Sequence, residues 1–313
     1  MPLEGRQPKV NIILATYNGA QGIIRQLDSL WAQTYSNIDI YIRDDGSKDN
    51  TVELIEDYIQ KHPGGPRVIF LENHGVNLNC PGSFYEILKR CEPAEYYSLC
   101  DQDDEWYSDK VARAVARLEQ EDDRQVLVYY SACDYKTTEG EFIRKSPQQK
   151  EHLQLHDVLY YTPGSGFTVV INEVARQKLL FDHTPGKELH DRWLIRGGVC
   201  LGKVIYDSES TAAHLRHKEA YTAGDADNKS LIYNFIHQEL LGDDALNDKK
   251  NIAYFYGQFE HEIPREEKKD IQLFASEKKS PIIWLRKVFY PRRLRRRWPG
   301  EVALRMLFFV GKV

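Results

Sequence analysis

The chain has 313 residues, 42% hydrophobic and 28% charged, which excludes fibrous and disordered classes and suits one large α/β domain with an appendage. The net charge of −5 is unevenly spread, because residues 281–313 hold nine Lys/Arg against one acid, Glu301. The rest is strongly acidic, which disfavours nucleic acid as a partner.

Cys80, Cys91, Cys100, Cys133 and Cys200 form neither a close pair nor a metal-type spacing, so a reduced, cytosolic compartment is expected. The short polar stretch 1–9 lacks the apolar region of a secretory signal or a spanning segment, and the catalytic part is expected to stay in the cytoplasm. Residues 10–17 are an apolar run ending in Asn18-Gly19, a buried strand meeting a loop. Ile23, Ile24, Leu27, Leu30 and Trp31 follow at helical spacing, then Ile38, Ile40 and Ile42 at strand spacing before Asp44-Asp45-Gly46-Ser47. A second unit has Asp49 or Asn50 capping a helix with Val52, Ile55 and Ile59, broken by residues 63–66 before a strand at 67–71. A helix over 83–91 leads to a strand at 96–100, then Asp101-Gln102-Asp103-Asp104, with Ser108 capping a helix that carries Val111, Val115 and Leu118. This alternation predicts a mostly parallel sheet with helices on both faces. Later come strands near 126–133 and 166–171, helices near 173–180 and 190–196, and helices at 231–241, 246–259 and 264–276. The division is a domain over 1–225 and a helical C-terminal region over 226–313.

In open α/β sheets, ligands bind beyond the carboxyl ends of the strands. Thr16-Tyr17-Asn18, Asp44-Asp45 and residues 101–104 all sit at such ends. Singly, each acidic pair is equally a turn or a helix-start acid. Three polar clusters at successive strand ends, two of them carboxylate-rich, point instead to something positive between the carboxylates, a divalent cation held together with substrate phosphates.

The segments Thr16-Tyr17-Asn18-Gly19, Asp44-Asp45-Gly46-Ser47 with Asp49, and Asp101-Gln102-Asp103-Asp104 resemble, in order and spacing, the inverting family 2 glycosyltransferases of GT-A fold. Glu105-Trp106 after the last cluster and His190-Asp191-Arg192-Trp193 resemble the bacterial rhamnosyltransferase branch of cell-surface polysaccharide synthesis. The resemblance implies that Thr16, Tyr17, Asn18, Asn73 and Gln102 contact a nucleotide-sugar donor. Asp45 would accept the ring N–H of its base, as an acceptor-only carboxylate suits, and Asp101 would meet its ribose. Asp103 would bind the metal (Mn²⁺ or Mg²⁺), and Asp191 would be the catalytic base. A late histidine completes the metal site in such proteins; here His214 and His217 are available, and the arginine shortly before it favours His217. Trp193 and Gly164 are candidates for the acceptor side, by ring stacking and by close backbone approach; a core tryptophan and a plain turn explain them equally well. Pro81-Gly82 interrupts the helix start expected near 77–84.

Arg286, Lys287, Arg292, Arg293, Arg295, Arg296 and Arg297 are interleaved with Trp284, Phe289, Tyr290 and Trp298. The apolar stretch that follows, 302–310, is shorter than the roughly 20 residues a spanning helix needs. Such a segment suits the headgroup interface on the inner face of the plasma membrane, where it would serve a polyprenyl-diphosphate-linked acceptor. A subunit interface in a homo-oligomer, or a solvated helix packed on its own domain, are the competing uses. The function expected is transfer of L-rhamnose from dTDP-L-rhamnose to a lipid-linked or polysaccharide acceptor. The alternatives are a UDP-hexose donor or an inactive scaffold. Nucleotidyl transfer is disfavoured because no Gly-rich, basic loop follows the first strand.

Overall fold

The computed structural model describes residues 7–181, 188–216, 242–278 and 280–313. Nine strands form one sheet: β1 (Val10–Thr16), β2 (Ile38–Asp44), β3 (Arg67–Phe70), β4 (Tyr96–Cys100), β5 (Asp104–Trp106), β6 (Val126–Thr137), β7 (Phe142–Lys145), β8 (Val170–Asn172) and β9 (Gly202–Arg216). Their order is β3-β2-β1-β4-β8-β6-β9-β5, with β7 beside β6. Parallel pairing joins β3, β2, β1 and β4, and again β6 and β9. Every antiparallel pair involves one of the short strands β5, β7 or β8. The expected α/β sheet of GT-A type, mostly parallel in its long strands, is therefore present.

Alternation divides the core in two. Val10, Ile12 and Leu14 of β1 join one apolar cluster with α1 (Ile23–Trp31), α2 (Thr51–Lys61) and α4 (Lys110–Leu118). Ile13 faces the other way, toward α3 (Asn79–Arg90) and α6 (His190–Leu201). Side chains two apart share a face, so a strand apolar at every position must be covered on both sides.

Among the described residues four C-terminal helices follow: α7 (Asp244–Phe259), α8 (Arg265–Ala275), α9 (Pro281–Val288) and α10 (Trp298–Phe309). Phe255, Phe259, Phe274, Leu304, Leu307 and Phe308 are buried in the same cluster as α3 and α6. Each such side chain contributes about 1.5–3 kcal/mol when removed from water. The C-terminal region is thus bonded to the sheet domain by a common core. The boundary drawn between 225 and 226, and the helix expected at 231–241, lie outside the described residues.

Three local expectations are corrected. The segment 166–171 is not one strand: a tight turn at Gly166–Thr168 precedes β8. Two contacts favour the turn: the Thr168 hydroxyl donates back to the Ser165 carbonyl at 2.7 Å, and Gly166 packs on His190, whose Nε2 a Cβ would approach to 2.1 Å. Ser108 does not cap α4; Asp109 occupies the cap position and no side chain bonds there. The Ser108 carbonyl instead accepts the Thr34 N–H at 2.8 Å. Residues 173–180 begin as a helix, α5 (Glu173–Arg176), and continue into a wider π-type turn over Gln177–Phe181.

Candidate active site

Because β2, β1 and β4 are parallel neighbours, their carboxyl ends open on one edge, with Thr16 opposite Asp44 and Leu14 opposite Cys100. A cleft of about 310 Å³ lies there, at the small end of the range for ligand sites. Thr16, Tyr17, Asp45, Asp101, Gln102 and Asp103 line it, together with Asn79, Cys80, Ser83 and Phe84 from α3.

Asp44 organises the loop after β2. Its carboxylate accepts the Thr16 hydroxyl at 2.9 Å and the backbone N–H groups of Gly46 and Ser47 at 3.0 and 2.8 Å. Asn18, at φ 48°, adopts the left-handed conformation that asparagine tolerates. It ties the β1 loop to the β2 loop, its N–H on the Ser47 hydroxyl and its side-chain oxygen accepting the Lys48 N–H. Asp45 is buried in an ion pair with Arg43, and its oxygens also take the N–H groups of Leu78 and Asn79 at 2.9 and 2.6 Å. A carboxylate offers about four acceptor positions, so one is left toward the cleft. Arg43 reaches on to the Ser83 hydroxyl and the Val76 carbonyl.

Two residues expected to contact the donor also brace the surrounding loops. The Gln102 amide is held at both ends by the Tyr17 backbone, accepting its N–H at 2.8 Å and donating to its carbonyl at 3.0 Å. It shapes the rim of the cleft, and each end of the amide keeps a second hydrogen-bonding position. Asn73 donates to the Asp44 carbonyl and accepts from Gly75, bracing the β2 loop outside the cleft lining.

Asp191 stands in the first turn of α6. It is not part of the cleft lining, yet its charge acts on Asp101 and on Cys80, which are. Burial pushes the Asp191 carboxyl up to about 6, opposed by the Arg192 backbone N–H. Tyr85 bonds to the Glu188 carbonyl, Arg196 pairs with Glu188 at 2.5 Å, and Arg192 pairs with Asp248. The base candidate therefore rides on a helix tied to α3 and α7. Burial also raises the Asp101 carboxyl well above the usual range, and the charges acting on it are those of Asp104, Asp103 and Asp191. Carboxylate oxygens are the donor type a divalent cation takes, although among the described residues no group of three or more His, Cys, Asp and Glu is arranged to hold one. His217 lies outside the described residues. His214 is seen, with Nδ1 at 2.7 Å from the buried Asp104.

Both acceptor-side candidates are packed against buried rings. Trp193 is fully buried, its indole N–H donating to the Leu179 carbonyl at 3.0 Å and its rings against Phe255 and Phe259, so it cannot stack on a sugar. Gly164 abuts Tyr130, whose Cδ2 a Cβ would approach to 2.6 Å; ring packing requires this glycine. Sequence reasoning missed Arg43, whose signal was a cation beside the acid pair at the end of a buried strand, and Cys80, Ser83 and Phe84, which enter the cleft where Pro81-Gly82 break the helical pattern.

This two-faced, mostly parallel sheet with acids gathered at its carboxyl edge is shared, as a fold, with solved structures. TarS of S. aureus, residues 1–349 in complex with UDP, matches with a TM-score of 0.52 and 18% identity over 97% of this chain and 91% of that one. A Pyrobaculum calidifontis mannosyltransferase in complex with GDP-Man and Mn²⁺ matches with a TM-score of 0.52 and 12% identity, over 98% and 75%. The chain belongs to glycosyl transferase family 2, whose description matches residues 11–178. An uncharacterized glycosyltransferase of Rickettsia typhi is 29% identical over 75% of this chain and 72% of its own length. The dTDP-rhamnosyl transferase RfbG of Shigella flexneri is 31% identical over 51% of this chain and about half, 54%, of its own. The amylovoran biosynthesis glycosyltransferase AmsB of Erwinia amylovora is 26% identical over 55% and 58%.

Proposed function

We propose that this chain is an inverting, metal-dependent transferase that moves L-rhamnose from a dTDP donor onto a lipid-linked or polysaccharide acceptor in cell-surface glycan synthesis. The observation that carries the reading is Asp191: a buried carboxyl raised to about 6, acting on Asp101 in a cleft at the carboxyl ends of β1, β2 and β4. Such a group is ionised near neutrality yet basic enough to take a proton. In this reading Asp191 removes the acceptor hydroxyl proton while that oxygen bonds to the anomeric carbon. The bond from that carbon to the diphosphate oxygen breaks, the diphosphate leaves with its electron pair, and the configuration inverts.

Thr16, Tyr17 and Asp45 would hold the base, and Asp101 the ribose. Asn18, Asn73 and Gln102 would keep these loops in place. Asp103, with Asp101 nearby, would hold a divalent cation, which supplies charge neutralisation on the departing diphosphate. The likeness to RfbG supports rhamnose, and the likeness to AmsB supports polysaccharide synthesis. Attachment to the inner face of the cytoplasmic membrane through residues 281–313 belongs to the same reading; no helix among the described residues is long and apolar enough to cross a membrane.

The test is nucleoside diphosphate release from a panel of sugar nucleotides with Mn²⁺, Mg²⁺ or EDTA. Metal-dependent release from dTDP-L-rhamnose, lost in Asp191→Asn, is expected. Turnover of a UDP-hexose instead would move the donor assignment, and no binding or turnover of any donor would sink the catalytic reading.

A further inference from the structure

Helices α9 and α10 turn only part of their apolar surface inward. Leu304, Leu307 and Phe308 are buried, whereas Phe289 (74% exposed), Trp298 (66%), Phe309 (64%) and Met306 (54%) face outward. Scattered single apolar side chains are ordinary, but these line one groove of about 550 Å³ with Val302 and Val310. Arg293 belongs both to this groove and to a neighbouring cavity of about 480 Å³, where Arg293, Arg295, Arg296 and Lys150 converge. Asp157 is the acid of that cavity, and Lys150 pairs with it at 2.7 Å. The arginines are held in place: Arg296 donates to the Gln148 carbonyl, and Arg293 lies 4.5 Å over the Trp298 ring. A cationic cavity bordering an apolar groove is complementary to an amphiphile with an anionic head.

We infer that this face docks on an anionic phospholipid bilayer, a headgroup phosphate entering the cavity of Arg293, Arg295, Arg296 and Lys150 while Phe289, Trp298, Met306 and Phe309 insert among the acyl chains. Charge selects this occupant. The remainder of the protein is acidic, so an anionic surface attracts this face and repels the others, and the side chains that would insert are the aromatic and long apolar types that suit the interface. The inference rests on the membrane attachment in the function proposed above, and it adds which surface is engaged and by what chemistry.

The experiment is vesicle flotation of the full chain with phosphatidylcholine alone and with an equal mixture of phosphatidylcholine and phosphatidylglycerol. Donor binding is measured on every variant, so that loss of docking is separated from loss of the transferase site. Flotation only with the anionic vesicles is expected. Arg293→Gln with Arg296→Gln should lower partition roughly thirty-fold, at about 1 kcal/mol for each cation near the surface, and Met306→Ser with Phe309→Ser should also lower it, both with donor binding intact. The rim pair Arg286→Gln with Arg297→Gln should lose clearly less. Equal losses from cavity and rim pairs would overturn the headgroup cavity. No flotation of the wild type, or a stable dimer that hides the apolar face, would overturn the docking surface while leaving the transferase reading to its own test.

Discussion

His214 and Asp104 face each other across the antiparallel β5–β9 pair, with Nδ1 and Oδ1 2.7 Å apart. Asp104 is fully buried, and burial pushes its carboxyl up to about 6 against the lowering pull of His214. A carboxylate bonded to one ring nitrogen fixes the orientation of the other, and the His214 side chain is 32% exposed. Removing the imidazole strands a buried acceptor. His214→Ala should therefore lower stability by about 1–3 kcal/mol, read from chemical denaturation, and His214→Gln should recover part of the loss.

Asp191 sets function against stability. Its folded-state carboxyl, at about 6, lies above the ordinary value of 3.8. Protonated Asp191 therefore favours folding, and that contribution is complete below the unfolded value and is lost as pH rises through about 6. At neutral pH the ionised wild type has forfeited it, whereas asparagine has nothing to titrate. Asp191→Asn should lower turnover by about 10²–10⁴-fold. It should also show a thermal midpoint that improves relative to wild type between about pH 4 and pH 7. In wild type kcat/KM should rise with pH through about 6, a limb that is absent from the variant's residual activity.

Arg43 and Asp45 form a buried pair at the floor of the cleft, and the guanidinium also holds Ser83 and Val76. Deleting one partner leaves the other charged and unpaired. Arg43→Ala should destabilise by about 3–5 kcal/mol, and donor affinity should fall with it because Asp45 loses its fixed position. Calorimetry and donor titration check the two effects separately.

The sheet was legible because apolar runs that end in polar loop residues have few other uses: 10–16, 38–42 and 96–100 all lie in buried strands whose carboxyl ends share one edge. Interactions made across the fold were hidden. Nothing next to Asp104 in the sequence announces His214, 110 residues away. The Ser108 cap gave way to Asp109 at the cap position, with the Ser108 carbonyl joined to Thr34 instead, and 166–171 read as a strand because its β-branched residues fit one, while the packing of Gly166 against His190 favours a turn.

Burial chiefly raises the Asp101 carboxyl, and the charges of Asp104, Asp103 and Asp191 add to it. A divalent cation would relieve this, so metal removal should abolish donor cleavage. Asp103→Ala should lower it by about 10²-fold or more even at saturating metal. Without metal, the same variant should unfold at a higher temperature than wild type, because one repelling charge is gone. A variant that is inactive and also less stable in EDTA would instead mark Asp103 as structural.

Trp193 separates a packing role from a binding role. Its side chain is 0% exposed, its N–H is satisfied by Leu179, and Phe255 and Phe259 flank it from α7. Truncation opens a cavity between α6 and the C-terminal helices, and Trp193→Ala should cost about 3–5 kcal/mol. Because α6 also carries Asp191, kcat should fall as the helix loosens, yet KM for acceptor should stay unchanged. Trp193→Phe keeps most of the volume and gives up one hydrogen bond, so it should be about 1–2 kcal/mol less stable and catalytically close to wild type. Steady-state kinetics with acceptor varied at saturating donor decides the matter: a rise in acceptor KM in Trp193→Phe, with kcat preserved, would restore the indole to the acceptor site.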